Sequence, residues 1–363
     1  TVIYTLSLND ALPLFGPAQL DRAVADALCR LLGVSFQDAV RGSLLGIDAT
    51  MTPDLADFDL HRFLASLARR DTIAARHTVG LVDVIAGHPR AVNDGLPESL
   101  DEVVAVYGHT WFKLKVGGNV EADIARLKEI AAVLDAPGTP YQASLDGNEQ
   151  YDDLAALLEL WRRLQAEPAL ARLADSIAFF EQPINRKHAL DRDVGPLTAV
   201  KPVIIDESDA DLDAFPAAKR LGYSGVSSKC CKGFYKSVLN AARCAHWNAG
   251  GGRYFMTGED LTTQAGLAVQ QDLALVALLG MTHVERNGHH YVNGMAGAPA
   301  SEQAAFLAAH PDLYHRADGV VRLTIRDGEL AIGSLACAGF ASGALPDFGV
   351  MTPSPLPQPA RES

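Results

Sequence analysis

The sequence lacks long apolar runs, and this absence excludes one class of protein. No apolar stretch reaches the roughly 18 residues that a membrane-spanning helix requires, so we expect no membrane partner. The N-terminus has no basic segment followed by an apolar one, which predicts that no secretory signal is present. The opening, Thr1-Val-Ile-Tyr-Thr, need not be the native start of the chain.

Cysteine is scarce, and the five that occur are an odd number without the spacing of metal ligands. We interpret them as reduced thiols, which predicts a cytoplasmic protein. The cysteines are Cys29, Cys230, Cys231, Cys244 and Cys337.

Positive charge is also in deficit, with 31 lysines and arginines against 44 acidic residues and a net charge of −13. This balance argues against nucleic acid as a main partner and leaves a small-molecule partner as our expectation. The 363 residues are 48% hydrophobic, which is enough for a large core. The length fits one large α/β domain with a smaller one, and we expect the chain to form homo-oligomers.

Two lysines stand two residues apart in the apolar run 111–118. Because side chains alternate along a strand, Lys113 and Lys115 are predicted to share one face. Two ammonium groups on a buried face repel each other and are poorly solvated, which predicts a lowered pKa for at least one. Such a lysine would be a base near neutral pH. The alternative is an edge strand with two solvated lysines.

Short apolar strands alternate with helical patterns through the middle of the chain. Repeated strand–helix units predict a parallel sheet, and eight of them favour a closed (β/α)₈ barrel. The strands are predicted at residues 78–85, 111–116, 141–145, 177–180, 202–205, 225–228, 253–256 and 282–285. A helix is predicted at 17–33 and a hairpin at 320–332, with its turn at Arg326-Asp-Gly.

Three carboxylates follow consecutive predicted strands, each about one strand–helix unit from the next. They are Asp146, Glu181 and Asp206. The C-terminal ends of barrel strands meet at one mouth, so the three acids should converge there. Converged carboxylates repel each other, and a hard divalent cation such as Mg²⁺ would relieve the repulsion. Taken singly, each acid could instead be a helix cap or a loop charge.

Lys229 follows the next strand and is predicted to face Lys113 and Lys115 across the acids. A salt bridge to one of the acids is the alternative for Lys229. Glu259, after strand seven, is a candidate lysine partner or substrate contact, with a loop charge as the alternative. Asn148 and Glu207 are further candidates for substrate contact or for support of the site.

Taken together, these motifs resemble the enolase superfamily, and within it the muconate lactonizing enzyme subgroup. They span about residues 76–290 in the expected order and spacing. The matching segments are Lys113-Leu-Lys115, Asp146-Gly-Asn148, Glu181-Gln-Pro183, Asp206-Glu-Ser208 and Lys229. The mandelate racemase subgroup has a His–Asp dyad on strands six and seven, which this chain lacks, since its nearest histidine, His246, falls within a predicted helix.

The resemblance implies roles for these residues. Mg²⁺, or Mn²⁺ in its place, would be held by Asp146, Glu181 and Asp206. Lys115 and Lys229 would act as acid and base on opposite faces of the substrate, and Lys113 would assist electrostatically. The fold implied is the barrel with a smaller α+β capping domain. Its parts would be residues 1–75, a barrel at 76–290, and a segment 291–363 that returns to the cap and ends in an extended tail, 352–363.

Two departures from the family pattern concern substrate choice. The family has an N-terminal three-stranded meander, whereas only residues 4–7 could form such a strand here, so we expect a shortened cap. Dipeptide epimerases of the family carry an Asp-x-Asp at strand eight, and this chain reads Thr282-His-Val-Glu-Arg286 instead.

The implied function is Mg²⁺-dependent removal of the α-proton of a carboxylate substrate. That proton is weakly acidic, and the cation and nearby lysines would stabilise the enediolate that forms. Racemisation, epimerisation or cycloisomerisation would follow. The alternatives are an acid-sugar dehydratase of the same superfamily, a metal-free aldolase with a Schiff-base lysine at Lys115 or Lys229, and a non-catalytic barrel that binds a ligand.

Overall fold

The structure is a computed structural model that describes residues 2–87, 92, 94–259, 264–286 and 292–351. For residues 2–13 and 51 it describes the backbone alone. The tail at 352–363, which we predict to be extended, lies outside the described residues. No helix of the described part is long and apolar enough to cross a membrane.

Eight parallel strands close into a barrel, which confirms the predicted fold class. Each strand pairs with the next, and β1 also pairs in parallel with β8, so the ring has no open edge at that point. The strands are β1 Thr72–Val79, β2 Trp111–Lys115, β3 Gln142–Asp146, β4 Ile177–Glu181, β5 Val203–Ile205, β6 Gly225–Ser228, β7 Phe255–Glu259 and β8 His283–Glu285.

Helices between the strands surround the barrel. In α5, Asn119 caps the first turn by accepting a hydrogen bond from the Ala122 N–H, at 3.1 Å. Apolar residues at spacings of three and four then turn one face inward, and each buried Leu or Ile contributes about 1.5–3 kcal/mol. The helices are α4 Leu100–Tyr107, α5 Val120–Asp135, α6 Leu154–Ala166, α7 Ala171–Ser176, α8 Arg186–Ala189, α9 Gly195–Thr198, α10 Ala214–Arg220, α11 Phe234–Ala249 and α12 Leu267–Leu278.

The two flanks of the chain pack against each other beside the barrel. The rings of Phe36 and Phe340 stack with centroids 3.7 Å apart, and Arg30 donates a 2.8 Å hydrogen bond to the Ser342 carbonyl. Both flanks share one apolar core with α11 and α12. The elements of this smaller α+β part are α1 Val2–Leu32, α2 Phe36–Arg41, α3 Leu60–Ser66, α13 Ala300–Ala309, β9 Tyr314–Ala317 and β10 Val320–Leu323.

Three local predictions are wrong. The first barrel strand is β1, at Thr72–Val79, and the predicted strand at 78–85 contains a turn with Val82 largely exposed. The segment 4–7 lies within helix α1. The predicted turn at Arg326-Asp-Gly forms, with Arg326 and Glu329 exchanging backbone hydrogen bonds of 3.0 and 2.9 Å. The predicted hairpin at 320–332 does not extend beyond this turn, because β10 pairs with β9 while β11, Glu329–Ala331, pairs antiparallel with β1.

Candidate active site

Charged side chains from seven strands meet at the C-terminal mouth of the barrel. Strand alternation places them inward, because their neighbours, such as Phe112 and Leu114 on β2, face the helices and belong to the apolar core. The inward residues are Lys113, Lys115, Asp146, Glu181, Asp206, Lys229, Glu259 and Glu285. All the predicted acids and lysines therefore come together in one site.

Lys113 lies at the centre of this cluster. Its Nζ is 3.0 Å from Asp146 Oδ2, 2.9 Å from Glu181 Oε1 and 2.6 Å from Glu285 Oε2. Burial lowers the pKa of Lys113, but the surrounding carboxylates outweigh it and raise this pKa well above its usual value. Lys113 is therefore a fixed cation in the resting protein.

Lys115 differs from Lys113 in its exposure. Its Nζ lies 2.5 Å from Asp146 Oδ2, and its side chain is 21% exposed. Burial and Lys113 both lower the pKa of Lys115, but Asp146 and other acids raise it overall. Our prediction that one of the two lysines has a lowered pKa is therefore wrong for this state, because acids from neighbouring strands outweigh both repulsion and burial.

Lys229 is fully buried on the other side of the barrel. Its Nζ is 2.7 Å from Glu259 Oε1 and 3.3 Å from Asp206 Oδ1. Lys232, one turn further on, is also buried and places its Nζ 2.6 Å from Asp206 Oδ1. Asp206 is therefore paired with two lysines, which hold its pKa well below the usual range although burial acts against them.

Two of the predicted supporting residues contact each other at the rim. Asn148 donates its side-chain amide to Glu207 Oε1 at 2.7 Å, and its backbone N–H to Asp146 Oδ1 at 2.7 Å. The turn before Asn148 needs Gly147, because a Cβ there would lie 2.6 Å from Pro183 Cα. The loops after β3 and β4 thus pack closely and fix the direction of Asp146.

Glu285 is a site residue that we did not predict. It accepts hydrogen bonds from Thr78 Oγ1, at 2.5 Å, and from Lys113. Burial raises its pKa, but Lys113 and Arg76 outweigh this effect and hold the pKa at about 2. Its position in the sequence could have identified it, because Glu285 ends a barrel strand just as Glu181 and Glu259 do.

Arg76 forms the floor of the site and was also missed. It is fully buried inside the barrel, 3.8 Å from Glu285 Oε2, and donates to the Gly258 carbonyl at 3.3 Å. An arginine remains charged at any ordinary pH, so it supplies a permanent positive charge beneath the acids. A charged residue within an apolar strand would have indicated Arg76. It was not recognised because the predicted first strand begins six residues after β1 does.

The oxygen ligands of the cluster fit a hard divalent cation. Glu181 is completely buried, and its Oε2 has no hydrogen-bond partner within the described part of the chain. Such an orphaned buried oxygen is costly unless another ligand satisfies it. Among the described residues, Glu181, Glu259 and Glu285 have oxygens within 4.8 Å of one another. Asp146 and Asp206, the other predicted ligands, lie outside this triplet, and each is paired with a lysine.

The Glu259 carboxyl should make stability depend on pH. Burial, followed by Asp206, raises its pKa from 4.5 to about 8, although Lys229 and Lys113 act in the opposite direction. Because the folded protein holds this proton more tightly than the unfolded chain, the stabilisation is complete below about pH 4.5 and is lost as the pH rises to about 8.

We therefore expect the free energy of unfolding of the metal-free parent to fall across this window relative to Glu259→Gln. Denaturant titrations of both proteins at pH values on either side of the window measure the difference. An unchanged difference between parent and variant would show that Glu259 titrates normally.

Fold and site together define the class of protein. A closed (β/α)₈ barrel with acids and lysines at the C-terminal strand ends has the layout of a barrel enzyme. The model of the enolase C-terminal domain-like family matches residues 95–304, which is more than half of the chain and includes the cluster from Lys113 to Glu285. The chain belongs to this family, and it is an enzyme of the mandelate racemase/muconate lactonizing enzyme group of the enolase superfamily.

Solved structures share the fold at low sequence identity. The muconate lactonizing enzyme from Klebsiella pneumoniae is 16% identical, with a TM-score of 0.54 over 87% of this chain and 68% of its own. The muconate cycloisomerase from Pseudomonas fluorescens is 19% identical, with a TM-score of 0.53 over 90% and 70%. The L-Ala-D/L-Glu epimerase from Bacillus subtilis is 15% identical, with a TM-score of 0.54 over 89% and 70%. No curated protein sequence gives a significant match.

Proposed function

We propose that this protein is an isomerase that removes the α-proton of a small-molecule carboxylate with the help of a divalent cation. The observation that carries the proposal is the placement of two lysines on opposite sides of a buried carboxylate cluster. Lys115 ends β2, and Lys229 follows β6, four strands further round an eight-stranded ring. A substrate between them would present one face of its α-carbon to each amine.

The cation would be Mg²⁺, or Mn²⁺ in its place, held by Asp146, Glu181 and Asp206. When bound, it would stabilise negative charge developing on the substrate carboxylate and would lower the pKa of Lys115 by competing for Asp146. Lys115 is the one partly exposed lysine of the three predicted to be catalytic, so it can reach a substrate from the mouth. Lys113 and Arg76, both fixed cations, would keep Glu285 ionised and oriented.

The two lysines permit either of two outcomes. If both transfer protons, the product is the epimer. If one lysine removes the proton and the other only binds charge, the enediolate must expel a β-substituent. Where that substituent is the substrate's own second carboxylate, this step opens a lactone, and its reverse, in which the same lysine delivers the proton to the α-carbon, is a cycloisomerisation. The structural neighbours include both a muconate cycloisomerase and an epimerase. An acid-sugar dehydratase remains the alternative within the superfamily.

A Schiff-base aldolase is disfavoured for Lys115. Such chemistry needs a neutral amine, whereas the neighbouring acids raise the pKa of Lys115 overall despite its burial. A non-catalytic barrel is disfavoured because seven strands direct charged groups into one site. Even as ion pairs, buried charges are often no more stable than apolar packing of the same volume, so such a cluster indicates a use beyond stability.

Three further predictions remain proposals. The two flanks, which pack together, would cover the mouth and select the substrate. All five cysteines are unpaired, which supports a cytoplasmic location. The chain would assemble into homo-oligomers.

Solvent deuterium exchange tests the function directly. In D₂O with Mg²⁺, we expect loss of the α-proton NMR signal for at least one member of a panel of carboxylic acids, dipeptides and N-acylamino acids. Chelator should stop the exchange. Exchange that continues undiminished in chelator, or a borohydride-trapped adduct formed without metal, would contradict the proposal and support the aldolase.

A further inference from the structure

One buried amide links the loops that carry Glu181 and Asp206. Gln182 directly follows Glu181 and is completely buried. Its Oε1 accepts hydrogen bonds from the backbone N–H groups of Asp206, at 2.8 Å, and Ser208, at 3.1 Å. Its Nε2 donates to Ser208 Oγ, at 2.7 Å, and to the Ile184 carbonyl, at 2.8 Å. Every hydrogen-bonding position of the amide is therefore used.

The backbone of Gln182 is strained. Its φ is +32°, in a region that residues with a Cβ rarely adopt. Strain of this kind costs on the order of 1–3 kcal/mol and persists only where the surroundings enforce it. The Gln182 N–H donates to the Ile204 carbonyl at 2.9 Å, which continues the pairing of β4 with β5. Its side chain meanwhile holds the turn after β5 through Asp206 and Ser208.

Gln182 and Lys232 hold different parts of Asp206. Gln182 fixes the backbone at the start of the turn, whereas Lys232 Nζ binds the Asp206 carboxylate at 2.6 Å and its carbonyl at 2.5 Å. Because Gln182 is neutral, replacing it changes the position of Asp206 without changing the charge of the site. This separates the effect of geometry from the effect of electrostatics.

We propose that Gln182 is a positioning residue that sets the geometry of Asp206 relative to Glu181 for binding a divalent cation. This inference rests on the proposed function, in which both acids are ligands. Partners that orient metal ligands typically change metal affinity by about 10–100-fold when they are removed.

The experiment measures Mn²⁺ binding by electron paramagnetic resonance, together with thermal unfolding of the metal-free protein. Gln182→Met removes all four hydrogen bonds at similar side-chain length, and Gln182→Gly also relieves the positive φ. We expect both to weaken Mn²⁺ binding about 10–100-fold. Gln270→Met is the matched control. Gln270 lies on helix α12, is equally buried, and donates to Tyr314 Oη at 2.9 Å.

The outcomes separate the inference from the proposed function. If the parent does not bind Mn²⁺, the proposed metal site is wrong. If the parent binds and Gln182→Met or Gln182→Gly binds equally well, the positioning role is wrong. Should Gln182→Met fail to fold, Ser208→Ala decides, since it removes only the Oγ acceptor. Weaker Mn²⁺ binding by that variant supports the inference, and parental binding overturns it.

Discussion

Lys115→Met and Lys229→Met should each lower turnover by about 10²–10⁴-fold, the usual contribution of one acid–base group. Methionine keeps most of the side-chain bulk while it removes the amine. The two variants should also differ in which proton-transfer step they impair. For an epimerase, each should lose α-proton exchange with one substrate stereoisomer and retain some with the other. For a cycloisomerisation, one variant should abolish exchange, and the other should mainly slow product formation.

Charge balance must be controlled in the Lys229 experiment. Removing Lys229 leaves the buried Glu259 carboxyl without its 2.7 Å partner, and breaking a buried pair costs about 3–5 kcal/mol of stability. Lys229→Met combined with Glu259→Gln removes the amine together with that carboxyl, so it separates the loss of a base from the loss of folding. Lys128→Met, at an exposed salt bridge with Glu167 on the outer surface, is the control for lysine replacement in general. Parental rates and exchange in both single variants would show that these lysines are structural.

The positions of the site residues could be predicted because each one lies at the end of a barrel strand that the sequence pattern reveals. A polar residue directly after a short apolar strand points to the mouth whichever helix follows it. Asp146, Glu181, Asp206 and Lys229 were found on this basis, and all lie in one buried cluster. The roles proposed for them come from the resemblance, because the pattern alone left those roles open.

Strand one illustrates a limit of pattern reading. Residues 78–85 are as apolar as β1, and β1 contains Arg76 and His77, which argue against a buried strand when read alone. Both residues are in fact buried. Arg76 is tolerated because Glu285 on β8 balances its charge and the Gly258 carbonyl on β7 accepts one of its hydrogen bonds, and no local pattern contains that information.

The electrostatics of the lysines could not be predicted for the same reason. Two lysines on one strand face suggest mutual repulsion and a lowered pKa. The pKa instead depends on acids from β3, β4 and β8, whose distances to Lys113 are 3.0, 2.9 and 2.6 Å. Likewise, the predicted hairpin does not extend beyond its turn at Arg326-Asp-Gly, because β11 pairs with β1, far earlier in the chain.

Glu181→Gln should abolish metal-dependent activity, with a loss of Mg²⁺ affinity greater than about 100-fold. Changes to groups that only orient a ligand already cost about 10–100-fold, and this change removes a ligand charge. Glu181 is the acid shared by the predicted ligand set and by the triplet whose oxygens lie within 4.8 Å. Isothermal titration with Mg²⁺, with thermal unfolding as the check on folding, measures the effect. Parental Mg²⁺ affinity with full activity would mean that the metal site is misplaced.

Two further variants decide which acids complete the site. If the ligands are Asp146, Glu181 and Asp206, then Asp206→Asn should weaken Mg²⁺ binding about as much as Glu181→Gln does. Glu285→Gln should then leave Mg²⁺ affinity near the parental value, because Glu285 would keep its hydrogen bonds from Lys113 and Thr78 and its ion pair with Arg76 and would not bind the cation. The opposite ranking would assign the cation to Glu181, Glu259 and Glu285, the triplet that is already close together without it. Lys229 would then lose Glu259, which lies 2.7 Å from its Nζ, to the metal and would keep Asp206, at 3.3 Å, as its acidic partner.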